Sequence, residues 1–83
     1  MPYVKKEIRP ILDKVVAEMN QASIRVNGDL NYVLYAFCKR HVDPSYNNYK
    51  NFCGELRQCA TEVERRLLGP YEDTKIIENG DVE

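Results

Sequence analysis

The residues of this chain that could carry out chemistry are a cysteine and a histidine one helical turn apart. Cys38 precedes His41 by three positions, and His41 is the only histidine. On a helix this spacing puts both side chains on one face, where they could act as a thiol and its base or bind a metal ion. A tetrahedral metal site needs four ligands, and Cys53 and Cys59 lie in a different predicted helix. We therefore expect no metal site, no cofactor and no enzyme activity, and a small Cys/His enzyme is only the third alternative.

Tyrosines and basic side chains are the better candidates, and they indicate binding. The chain has six tyrosines and no tryptophan. A tyrosine offers a stacking face and a hydroxyl, and an arginine or lysine can contact a phosphate. Structural roles compete with this interpretation, because Arg65 and Arg66 could instead complement a helix C-terminus and pair with Glu62 one turn back. The predicted ligand-binding residues are Tyr3, Lys5, Arg9, Asn31, Tyr32, Arg65, Arg66, Tyr71 and Lys75.

The longest predicted element is a helix from Ser45 to Leu68. Its apolar residues recur at steps of three and four, which is typical of a core-facing helix. Ser45 follows a proline and can cap the first turn, while Gly69 and Pro70 predict that the helix ends there. The apolar stripe consists of Tyr49, Phe52, Leu56, Cys59, Val63 and Leu67.

Two shorter helices are predicted before it. The first begins near Pro10, which is tolerated in a first turn, and fades near Gln21. Alternating apolar residues before Asn27-Gly28 indicate a short extended connector over residues 23–28. Asp29 is then expected to cap a second helix from Leu30 to about His41. This helix is apolar over most of its circumference, so we expect it to be enclosed on several sides.

Together these elements predict an all-α, three-helix protein that is too small to complete its own core. A chain of 83 residues forms one small domain with a thin interior. We therefore expect a helical domain over residues 1–69, an acidic C-terminal tail over residues 70–83, and a homo-oligomer. The tail is too polar to predict an independent helix. Its Ile76 and Ile77 before Asn79-Gly80 are a weak signature of a strand and a tight turn, so we expect partial order.

Charge and cysteine usage narrow the function classes. Residues 1–69 contain 11 Lys/Arg against 8 Asp/Glu, and residues 70–83 contain one Lys against five acids. The overall net charge of −1 disfavours binding to extended nucleic acid, although basic pockets could still take a small anion. Three cysteines without a CxxC pair predict reduced, buried thiols, and no run of apolar residues predicts a membrane span. We expect a cytoplasmic protein that does not enter membranes.

Four stretches of the sequence resemble one protein family. They are the opening MPYVKKEIRPILD, GDLNY before the second helix, SYNNY at the third, and RRLLGPYEDTKIIENGDV at the end. These are similar to a family of small uncharacterised phage and bacterial proteins with an MPY(I/V)K start and a PYEDxKIxENGDV ending. The resemblance implies an accessory protein of phages or mobile elements, acting in the cytoplasm of a bacterial host. Cys53, Cys59 and the run from Lys39 to His41 depart from the family pattern.

Two binding functions remain. The first is a non-catalytic homo-oligomer that sequesters a small anionic nucleotide, such as the cyclic nucleotides of antiphage immunity, and so acts as an anti-defence sponge. Small helical phage proteins of that kind resemble this chain in size and character. The alternative is a protein-interaction module that caps or inhibits a host protein through an exposed helix face.

Overall fold

The computed structural model describes residues 4–83, and they contain helices and no strand. This confirms the predicted all-α class with two short helices and one long one. The chain divides into two units, Met1–Val42 and Asp43–Glu83. The elements are α1 (Arg9–Gln21), α2 (Gly28–His41), α3 (Tyr46–Val63), a π-helical turn (Glu64–Leu68) and α4 (Gly69–Asn79).

The first unit contains α1 and α2. Pro10 lies in the first turn of α1, where its missing N–H removes no helical hydrogen bond. The predicted cap of α2 is wrong by two residues. Asn27 is the capping residue, and its Oδ1 accepts from the backbone N–H of Asp29 at 2.9 Å. Asp29 instead lies in the first turn of α2, where its negative charge complements the helix dipole.

The second unit is one long helix, residues 46–79, formed by α3, the π-turn and α4. The predicted cap is confirmed: the hydroxyl oxygen of Ser45 accepts from the backbone N–H of Asn48 at 3.0 Å. At about 1.5 Å per residue the helix is about 50 Å long. Every helix of this unit belongs to that one rod, so the unit contains no second element for it to pack against.

The predicted end of this helix at Gly69 is wrong, and so is the predicted strand and turn after it. The backbone N–H of Gly69 reaches back five residues to the carbonyl of Glu64, which makes the turn one residue wider than an α-turn. In a regular α-helix the ring of Pro70 would clash with the carbonyl of Arg66. The wider turn relieves that clash, and Pro70 then occupies the first turn of α4, where proline is tolerated.

The expected hydrophobic interior is not present within the single chain. None of residues 4–83 is buried. The second helix, expected to be enclosed, exposes 62% of Tyr32, 63% of Tyr35 and 55% of Phe37. On α1 the apolar face is equally open, with Ile11 at 67% and Val16 at 64% exposure. Amphipathic patterning correctly predicted α1, α2 and α3, but it does not show what covers their apolar faces.

Substituting alanine at two glycines of the long helix should change the free energy of unfolding in opposite directions. A Cβ at Gly54 would meet nothing within 4 Å, whereas Gly80 ends the helix at a φ of +83°. Alanine at Gly54 should raise the free energy of unfolding by about 1 kcal/mol, since glycine costs that much inside a helix. Alanine at Gly80 should lower it by about 1 kcal/mol, because it disfavours positive φ.

The measurement is urea denaturation followed by circular dichroism, with all proteins at one concentration. Changes of the same sign in Gly54→Ala and Gly80→Ala would contradict this account of how the long helix runs and ends.

Candidate functional site

Cys38 and His41 lie in the last turn of α2, as the sequence predicted. The imidazole of His41 packs against the ring of Phe37, with the ring centroids 5.6 Å apart and the planes tilted by 43°. Among residues 4–83 no group of three or more His, Cys, Asp or Glu side chains could hold a metal ion.

The three cysteines are free thiols, but the prediction that they are buried is wrong. Cys38 is half-buried, and Cys53 and Cys59 are exposed. Cys59 lies on the apolar stripe of the long helix, which has no cover within its own unit. A thiol at such a position is a small hydrophobe that another surface could bury.

Three of the predicted binding residues lie near the N-terminus. Tyr3 lies outside the described residues. Lys5 is exposed and precedes α1, and Arg9 begins that helix. The Nε of Arg9 donates to the backbone carbonyl of Val4 at 3.0 Å, so this guanidinium also has a local structural role.

Asn31 and Tyr32 lie in the first half of α2. A guanidinium nitrogen of Arg40 donates to the hydroxyl oxygen of Tyr32 at 3.3 Å, spanning two helical turns. The sequence analysis missed Arg40, although a separation of eight residues on a helix puts two side chains on nearly the same face. Tyr32 and Arg40 together present an aromatic face beside a cation.

Arg65 and Arg66 lie in the π-turn, and both reach back to the same carboxylate. Arg65 Nη2 is 3.2 Å from Glu62 Oε2, and Arg66 Nη1 is 3.8 Å from that oxygen. One carboxylate is thus within reach of two guanidinium groups. Arg66 also lines a shallow concavity with Glu62, Val63 and Leu67. This is the alternative role that the sequence predicted, pairing with Glu62.

Tyr71 and Lys75 lie one turn apart on α4. The ammonium nitrogen of Lys75 is 5.5 Å from the ring centroid of Tyr71, within the range of a cation–π contact. The same nitrogen is 3.0 Å from Glu78 Oε2. The sequence analysis missed Glu78, which partly neutralises this cation.

The structure therefore brings the predicted residues together in pairs along single helices. Arg65 joins Arg66 around Glu62, and Tyr71 joins Lys75 one turn later in the same unit. The residues of the first unit form separate local groups. Arg65 and Arg66 gather around a carboxylate, Tyr71 and Lys75 combine an aromatic ring with a cation, and both groups are open to solvent.

Comparison with known protein families finds a match that spans almost the whole chain. A family model described as "Domain of unknown function (DUF6899)" matches residues 1–82. No curated protein and no solved structure matches the chain. In the part of the chain that the structure describes, no helix is both long and apolar enough to cross a membrane.

The sharing of Glu62 by two arginines predicts how this cluster responds to an anion. Glu62→Gln should raise the affinity of Arg65 and Arg66 for pyrophosphate by about two- to fivefold, because two unit charges about 4 Å apart interact by about 1 kcal/mol in water. This affinity is measured by titrating pyrophosphate and following the NMR signals of the arginine side chains. The matched control is Glu55→Gln on the same helix, and an equal gain in both variants would contradict a local effect of Glu62.

Proposed function

The chain belongs to the DUF6899 family, whose description assigns no activity, and we propose from its surface that it is a non-catalytic, homo-oligomeric helical binding protein. The observation that carries this proposal is that none of residues 4–83 is buried. Helices whose apolar faces stay open have little hydrophobic free energy to offset the entropy lost on folding. In the proposed homo-oligomer, copies of the chain supply this cover.

For the ligand, the cation and tyrosine pairs favour a small anion with aromatic rings. Lys75 lies against the ring of Tyr71 at 5.5 Å, and Arg65 and Arg66 share one carboxylate. A phosphate can pair with the arginines while a base stacks on a tyrosine. We propose a cyclic nucleotide as the ligand, sequestered without being transformed, so that the protein acts as an anti-defence sponge in a phage setting.

The alternative is a module that caps or inhibits a host protein. The same exposed apolar faces favour it, since a second protein could cover them as well as a copy of this chain could. The two functions differ in what the assembled protein does. A sponge holds a nucleotide and needs no further protein, whereas an inhibitor keeps an apolar face open after assembly.

Assembly is tested first. Light scattering at micromolar concentration should give a mass that is a multiple of 9.7 kDa, and the melting temperature should rise with protein concentration, as mass action requires. A fully helical species of single-chain mass, with a melting temperature independent of concentration, would sink the proposed function.

Ligand binding is tested on the same assembled protein. Cyclic di- and trinucleotides should raise its melting temperature, and Arg66→Ala or Tyr71→Ala should abolish the rise. Arg57→Ala, on the same helix but outside the predicted set, is the control and should keep it. A wild-type protein that ignores every nucleotide and binds one host protein specifically would favour the inhibitor instead.

A further inference from the structure

The apolar stripe of the long helix follows a seven-residue repeat that is broken once. Tyr49, Leu56 and Val63 are seven positions apart, and so are Phe52 and Cys59. The next members of the two series come eight positions later, at Tyr71 after Val63 and at Leu67 after Cys59. One extra residue is thus inserted into the repeat between residues 63 and 67.

The π-turn lies at this insertion. Each residue of an α-helix turns the chain by about 100°, so one extra residue would move Leu67 and Tyr71 about 100° away from their heptad positions. A π-turn contains one more residue than an α-turn and absorbs the insertion. The hydrogen bond from Gly69 N–H to the carbonyl of Glu64 closes this wider turn. Leu67 and Tyr71 consequently stay in line with Val63 and Leu56.

Gly69 and Pro70 explain why the wide turn forms here. Pro70 disfavours the α-helical position of the carbonyl four residues before it. A Cβ at Gly69 would lie 3.3 Å from the carbonyl oxygen of Glu64, a tight contact that would require this carbonyl to shift by a few tenths of an ångström, whereas glycine needs no shift. The sequence pair that normally ends a helix therefore keeps the apolar stripe of this helix continuous.

From this register we propose that the long-helix stripe, from Tyr49 to Tyr71, pairs with the same stripe of a second copy, and that the π-turn holds the second half of the stripe in register. The inference rests on the proposed homo-oligomer and names its interface. Helices with apolar residues at the first and fourth positions of each heptad pair with copies of themselves. Each apolar side chain of one helix fits into a hole between four side chains of the other.

The stripe is large enough for this pairing. The exposed fractions are 66% for Leu67, 59% for Tyr71, 47% for Val63, 43% for Tyr49 and 37% for Leu56. With roughly 100 Å² per half-exposed side chain, and with Leu68 and Cys59 beside them, the stripe offers roughly 600 to 800 Å² per copy. A standard stable interface buries about 800 Å² per partner.

Charge also favours a second copy as the occupant. No charged residue occupies the stripe between Tyr49 and Tyr71, so pairing requires no partner of opposite sign. In a parallel, in-register pair Glu55 would face Ala60 of the second copy, and Glu62 would face Leu68. Neither position brings two like charges together, which is the usual penalty against self-pairing.

The first experiment compares two variants of the long helix, each of which adds one negative charge on a different face. Val63→Asp is on the stripe, and Gln58→Asp, on the opposite face, controls for the helix propensity of aspartate. Sedimentation equilibrium should show at least a tenfold weaker association for Val63→Asp and an association within twofold of wild type for Gln58→Asp. An oligomeric wild type with equal association of both variants would overturn the inference while leaving the proposed homo-oligomer standing on another face.

The second experiment tests the register. Pro70→Ala removes the residue that disfavours a regular α-helix, so helicity should stay or rise while association weakens at least tenfold. Deleting Arg66 in the Pro70→Ala chain brings Leu67 and Tyr71 back to seven-residue spacing, and association should return to within about threefold of wild type. Wild-type association in Pro70→Ala, or no recovery on deletion, would overturn the role of the π-turn. A monomeric wild type would instead overturn the proposed function itself.

Discussion

The constraint on which this structure depends is that helices form here without an interior. Backbone hydrogen bonds and caps such as Ser45 satisfy the polar groups of each helix, but an isolated helix gains little stability from them in water. Most helical stability in proteins comes from covering an apolar face. None of residues 4–83 is buried. In the proposed homo-oligomer the cover comes from other copies, so that folding and assembly become one equilibrium.

The sequence predicted local structure well because local structure depends on neighbouring residues. The start of α1 around Pro10, the cap at Ser45 and the stripe of the long helix all follow from spacing and residue type. The same reasoning failed at Gly69 and Pro70. Both residues commonly follow the end of a helix, but here a π-turn accommodates them within one, and the two residue types alone do not predict that turn. The jump from seven to eight in the apolar repeat was the available signal.

The candidate binding residues were predicted less fully, and the reason is again physical. Spacing identifies pairs on one helix, such as Tyr71 with Lys75, because those contacts are local. It gives no information on residues that different chains bring together. The pairing of Arg65 and Arg66 with Glu62 was predicted as an alternative role and is observed. Arg40 and Glu78, which contact Tyr32 and Lys75 within one or two turns, were missed because their side-chain directions are not given by the sequence.

Assembly and ligand capture place different demands on Tyr71, and the residues after it show how both could be met. Tyr71 is the last apolar member of the stripe, and the next turn on that side carries Lys75. In the register proposed for the stripe, Lys75 flanks the interface and, in a parallel pair, would face Pro70 of the second copy, so the two Lys75 side chains would lie on opposite sides of the pair. Each ammonium nitrogen lies 3.0 Å from Glu78 Oε2 and 5.5 Å from the ring centroid of Tyr71. An anion held at this edge would meet the cation while Tyr71 stays in the interface, so ligand capture would not require the pair to open.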